Sequence, residues 1–237
     1  MTTGRTIQEL LGLRAPPVAI AFLAALPAGL PRWQGPTVPA GCAFWKEAQQ
    51  GQAFYTVPAD HFNCAVGAYT HAMDLPPERG EQLNESIGLM VENGYIELAE
   101  VPGIPRLDQA PAAVAYAIAD ATAFAPDVVL LTANPAQAML IYEAALRAKA
   151  GSAETNLIGR PSCGVLPLTM SSHQAGVSLG CAGNRLYAGL LDDELYVTIP
   201  GAKWEEFKAR LSEIVEANGR MSAYYRRHQA QTLSAPG

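Results

Sequence analysis

Four cysteines, Cys42, Cys64, Cys163 and Cys181, have the widest chemical reach of any residues in this 237-residue chain. Each adjoins a residue typical of loops, in Gly41-Cys42, Asn63-Cys64, Cys163-Gly164 and Gly180-Cys181. A cysteine that serves only as a small hydrophobe more often sits within a strand or helix. Four thiolates on loops suit an iron–sulfur cluster or zinc. The compact spacing of two residues between thiols is missing, so a common site requires distant segments to meet in the fold. An iron–sulfur cluster is preferred to zinc, because nothing here resembles a small zinc-stabilised module. Cysteines that merely pack, with no metal bound, and a single reactive thiol are the alternatives.

Other groups with chemical potential lie close to these cysteines. His61 and His71 flank Cys64 and suit metal ligation or general-base work. His173 follows Cys163 by ten residues and could pair with it, but no nucleophile elbow and no third orienting residue accompanies them. Arg185 follows Cys181 by four residues; its planar fork could bind a carboxylate or phosphate, or pair with Asp192, Asp193 or Glu194. Those three acids read as a turn, since consecutive strand positions face opposite ways. Asn134-Pro135 is a helix start whose free amides could accept an anion. The candidate cofactor-binding residues are therefore Arg185, His61 and Asn134, and the candidate metal ligands are the four cysteines. No dinucleotide glycine fingerprint and no Walker lysine is present. No catalytic residue is assigned.

Positioning these groups falls to alternating apolar runs and helical stripes. Thr6 to Leu13 reads as a short helix, and Val18 to Phe22 as a buried strand rather than the core of a signal peptide. Helices are expected over Phe44 to Gln50, from Pro76-Pro77 to Asn93, and from Asn134 to Lys149. Strands are expected at Phe54 to Val57, Val114 to Ile118, Asp127 to Leu131, Leu157-Ile158, Val177 to Leu179 and Leu195 to Ile199. Trp204, Phe207, Leu211, Ile214 and Val215 share one helical face, in a helix expected to end at Gly219 before a separate one from Met221 to Gln229. The irregular alternation implies an α+β fold, a mixed sheet with flanking helices. Two short matches, Ala15–Ala21 with Ala110–Ala117 and Cys64–Tyr69 with Cys181–Tyr187, raise the possibility of two related halves, 1–105 and 106–237, within a single domain. In that arrangement four thiols could converge where the halves meet.

The run Gly180-Cys181-Ala182-Gly183-Asn184-Arg185-Leu186-Tyr187-Ala188-Gly189-Leu190, with Pro161-Ser162-Cys163-Gly164 and His61-Phe62-Asn63-Cys64-Ala65-Val66-Gly67, resembles the pattern of domain-of-unknown-function family 169 (DUF169), a bacterial and archaeal group. The resemblance extends from about Thr6 to Gln231 and implies no reaction.

Bulk composition narrows the classes. Apolar residues make up 49%, charged residues only 16%, and the net charge is −6. Disorder is excluded by that apolar content, and no basic stripe argues for nucleic acid. No apolar run approaches the roughly 20 residues that span a membrane. A cytoplasmic location is expected, where thiols stay reduced. The low charge implies a surface covered by a partner, as in a homodimer. The expected function is a redox or electron-transfer protein that holds a cysteine-ligated cluster and meets a redox partner protein. The alternatives are a binding module for an acidic or tetrapyrrole-like small molecule, and a structural subunit with packed cysteines.

Overall fold

The computed structural model describes residues 5–151, 156–158 and 161–234. Its centre is a seven-stranded sheet in the order β2-β3-β1-β4-β7-β6-β5. The strands are β1 (Val18–Leu23), β2 (Phe54–Thr56), β3 (Ala113–Ile118), β4 (Val128–Ala133), β5 (Asn156–Ile158), β6 (Gly176–Ser178) and β7 (Leu195–Pro200). Neighbours run antiparallel except β5 and β6, which are parallel. The sheet is therefore mixed and the fold α+β. The helices are α1 (Ile7–Leu11), α2 (Ala43–Gln49), α3 (Ala65–Thr70), α4 (Pro77–Glu92), α5 (Pro135–Arg147), α6 (Val165–Ser172) and α7 (Trp204–Ser234).

The alternation of side chains along β1, β4 and β7 sorts the helices into two layers. Ala19, Val129, Leu131, Val197 and Ile199 point to one face, where they meet α1, α5 and α7. Val18, Ile20, Val128, Leu130 and Tyr196 point to the other, where α2, α3 and α6 pack with Val114 and Tyr116 of β3. Both faces are covered, which is why these strands read as unbroken apolar runs. β1 and β3 are antiparallel neighbours with Ile20 opposite Tyr116. The segments that matched at the sequence level thus lie side by side, and strands from residues 1–105 and 106–237 interleave in one sheet.

Local chemistry sets the helix boundaries. The Thr6 side chain accepts from Glu9 N at 3.2 Å, while Glu9 Oε2 accepts from Thr6 N at 2.9 Å, a capping box that starts α1. Asn134 and Gln137 do the same for α5, each bond 2.9 Å, with Pro135 at the first helical position. The helix expected to stop at Gly219 does not stop. α7 runs on through Ser234, and the separate terminal helix expected from Met221 is its continuation. A glycine inside a helix costs about 1 kcal/mol relative to alanine, too little to end it here. An Arg220–Glu216 ion pair one turn apart, at 2.7 Å, spans the site. α3 and α6 were not expected at all. Both are short, and α6 contains Pro167 and ends on Ser171-Ser172.

Candidate functional site

Each of the four cysteines stands at or just before the start of a helical segment. Cys42 is the residue before α2, and Cys64 the residue before α3. Cys163 lies in the 3₁₀ turn Ser162–Gly164 that leads into α6. Cys181 precedes the helical turn Asn184–Ala188, and its amide donates to Asn184 Oδ1 at 3.0 Å. Helix N-termini carry partial positive charge from unpaired amides, which favours a negative sulfur.

These four helix starts open on one cavity of about 330 Å³. All four cysteines line it, together with His61 and His71. A methyl group built on Gly67 would stand 3.5 Å from Cys64 Sγ and 3.8 Å from Cys163 Sγ, so those two sulfurs border a single small space. The Thr70 hydroxyl lies 3.3 Å from Cys163 Sγ, and Cys181 Sγ lies 3.2 Å from Asn184 Oδ1. Most of the remaining wall is apolar. α4 supplies Leu83, Ile87 and Met90, one helical stripe over the cavity, yet buries none of its residues fully.

Burial dominates the electrostatics. It pushes the Cys42 thiol up to about 12, and the neighbouring sulfurs of Cys64 and Cys181 push the same way. Cys163 and Cys64 are raised by burial too, although the amides of Gly67 and Val66 pull Cys64 part of the way back. The cavity as it stands therefore keeps these three thiols protonated. Burial likewise lowers the two histidines to about 3, so both are neutral.

The histidines carry an unmet demand. The Thr56 hydroxyl donates to the Val114 carbonyl at 3.3 Å and lies 2.8 Å from His61 Nε2. Which of the two donates in the Thr56–His61 contact depends on the His61 tautomer, and the other ring nitrogen, Nδ1, has no partner in either case. Neither nitrogen of His71 has a partner. A buried polar atom without a partner costs about 1–3 kcal/mol. The rings stand 6.2 Å apart, with His71 edge-on to Phe22 and His61 against Phe44. Gly41 lies beside them. A methyl group there would fall 2.5 Å from His61 Nδ1, nearer than real contacts allow, and the Gly41 backbone is not left-handed. The glycine is needed for space, not for conformation.

The other candidate residues serve the scaffold. Arg185 does not line the cavity. Its guanidinium binds the Leu191 carbonyl, binds the Leu179 carbonyl at 2.9 Å, and stands 3.6 Å from the exposed Asp192. It thereby ties together the two ends of the loop that carries Cys181. Asn134 is occupied in capping α5. Glu194, from the acid triplet, meets Arg14 through two bonds of 2.7 and 2.6 Å, and Arg14 also reaches the Gly189 carbonyl at 3.1 Å. Burial alone would raise the Glu194 carboxyl, but Arg14 and the Leu191 amide hold it below its ordinary range. His173 terminates α6 in a left-handed conformation, outside the cavity wall. Trp33 is half-buried against Phe44 and Phe54.

The chain matches DUF169, described as an uncharacterised ArCR family, over residues 6–209, and it belongs to that family. It is 32% identical over 119 residues to an uncharacterized protein of Methanocaldococcus jannaschii, MJ0308. That match covers 49% of this chain and 48% of the relative, so the chain spans about half the length of the curated relative it matches. No solved structure matches it.

Proposed function

We propose that this protein holds an iron–sulfur cluster through Cys42, Cys64, Cys163 and Cys181 and serves in redox or electron transfer with a protein partner. The observation that carries this reading is that four thiols from four separate helix starts line one cavity. A cluster supplies reversible one-electron chemistry when bound, and amides near the sulfurs tune its potential. Among the described residues no three His, Cys, Asp or Glu side chains are grouped to hold a metal ion. Zinc needs its donors within about 2.3 Å of one point. A cluster places each thiolate on its own iron and so does not need one point shared by all four sulfurs.

The raised thiols set the expected pH dependence. Protonated cysteines must lose their protons to bind metal, so loading strengthens as pH rises, about tenfold per pH unit for each proton released. Protein prepared without oxygen is expected to be brown and to contain iron and acid-labile sulfide. Cys163→Ser should lower both. Colourless protein that takes up neither iron nor sulfide on anaerobic reconstitution would reject the cluster.

Among the described residues no helix is long and apolar enough to cross a membrane. A cytoplasmic location and a homodimer belong to the same proposal. The exposed apolar side chains Leu186, Leu98 and Tyr225, at 78%, 68% and 62% exposure, support the dimer. Light scattering that returns the 25.1 kDa of a single chain would remove it.

A further inference from the structure

Beyond the thiols, the cavity has a second set of features that a cluster does not explain. Two buried histidines line it with three ring nitrogens unpaired, and Gly41 stands close beside one of them, His61 Nδ1. The surrounding wall is of carbon and sulfur, with Tyr69, Tyr95, Met90 and Ile96 among its side chains. A volume of about 330 Å³ is at the small end of ligand pockets. Pockets of this kind fix a ligand with a few convergent polar groups inside an apolar enclosure.

We propose that this cavity binds a small, uncharged, largely apolar compound of the phenol kind, whose hydroxyl bridges the unpaired nitrogens of His61 and His71, donating to one ring and accepting from the other. A hydroxyl is the group that fits, because it both donates and accepts. His61 Nδ1 is an N–H or a bare acceptor according to its tautomer, and neutral His71, with both nitrogens unpaired, presents one N–H and one bare nitrogen. A carbonyl compound could only accept. A carboxylate would bring a charge to two neutral imidazoles in an apolar wall, at a large desolvation cost. The inference does not rest on the cluster, because neither histidine is among the proposed ligands.

The test uses the full chain, reduced and stripped of metal by chelator, so that its outcome is independent of iron loading. Three probes of similar size are titrated by fluorescence: 2-naphthol, 2-methylnaphthalene and 2-naphthoate. The expected order of affinity is 2-naphthol first, by about tenfold over 2-methylnaphthalene, as one satisfied buried group implies, with 2-naphthoate weakest. In His71→Phe the advantage of 2-naphthol should fall below about threefold while 2-methylnaphthalene still binds. Because that variant could fail to fold, ¹⁵N-histidine spectra of the unsubstituted chain give a second readout. The His61 and His71 ring resonances should move with 2-naphthol and stay in place with 2-methylnaphthalene. Equal binding of these two probes, tightest binding of 2-naphthoate, no binding of any probe, or histidine resonances indifferent to 2-naphthol would each overturn the proposal.

Discussion

On one face of the sheet, Ile141, Ala144 and Ala145 of α5 and Ala148 just after it mesh with Phe207 and Leu211 of α7, all of them fully buried. On the other face, α2, α3 and α6 bring cysteines and histidines to the wall of a cavity, under a helix that buries nothing completely. The two faces share the same strands, so the difference lies in what packs on them. Small alanines on α5 let α7 approach closely and carry stability. The opposite face leaves three histidine ring nitrogens without partners, at a cost in stability.

The largest expected effect breaks the first face. Phe207→Ala should destabilise the protein by about 3–5 kcal/mol, through lost burial plus the cavity left behind. Urea unfolding followed by circular dichroism measures it. A loss below about 1 kcal/mol would mean that the α5–α7 layer is not the main source of stability.

The next effect concerns the ion pair of Arg14 and Glu194. Glu194 is buried, with its side chain 8% exposed, and Arg14 is its charged partner. Arg14→Met leaves that carboxylate unpaired and releases the Gly189 carbonyl, so a loss of about 2 kcal/mol at pH 7 is expected. The half-exposed guanidinium keeps the value below that of a fully buried pair. The double variant Arg14→Met, Glu194→Gln should recover part of the loss. If it recovers nothing, the pair is not what holds the loop.

Much of the solid face was legible in the sequence, and little of the hollow one. The Asn134-Pro135 start of α5 and the Trp204, Phe207, Leu211, Ile214 stripe are local signals that tertiary contacts only reinforce. The buried strands were apolar runs of the right length. α3 and α6 escaped because one is six residues long and the other carries Pro167, and packing rather than propensity makes them helical. The loop setting of the cysteines hinted at a shared site, but not that each would begin a helix. His61 and His71 carry no spacing signal, and their importance comes from unpaired nitrogens that only the fold exposes. Arg185 looked like a ligand-binding group in isolation; the backbone carbonyls of Leu179 and Leu191 that it binds come close only in the fold.

The histidines also separate the faces by pH. Folding holds both imidazoles neutral, with pKa values near 3, whereas the unfolded chain takes up those protons below about 6.5. The stability gained from keeping them neutral is present above pH 6.5. It is lost as pH falls from there toward 3, by at most about 1.4 kcal/mol per pH unit for each histidine. His71→Phe removes one share, so its stability should decline less steeply than that of the unsubstituted chain between pH 6.5 and 5. Parallel declines would show that His71 is not held neutral.

The smallest expected effect on stability tests whether the hollow face can open on its own. Ile87 sits mid-way along α4, half-buried, with Leu83 and Met90 on the same stripe over the cavity. Ile87→Ala removes carbon that is only partly withdrawn from water, and α4 packs chiefly on the short α3. A segment with so few buried contacts opens locally at a lower free energy than global unfolding. Truncating it then weakens the closed state of α4 without moving the main transition. The urea midpoint should shift by less than about 1 kcal/mol, against the several expected for Phe207→Ala on the other face. Amide exchange in α4 should quicken in the same variant, while amides of β4 and α7 keep their protection. Addition of 2-naphthol should slow α4 exchange in the unsubstituted chain, because a ligand beneath the stripe favours the closed helix. If Ile87→Ala instead costs as much as Phe207→Ala, or quickens exchange in α7 as much as in α4, the two faces unfold as one unit and the cavity has no cover of its own.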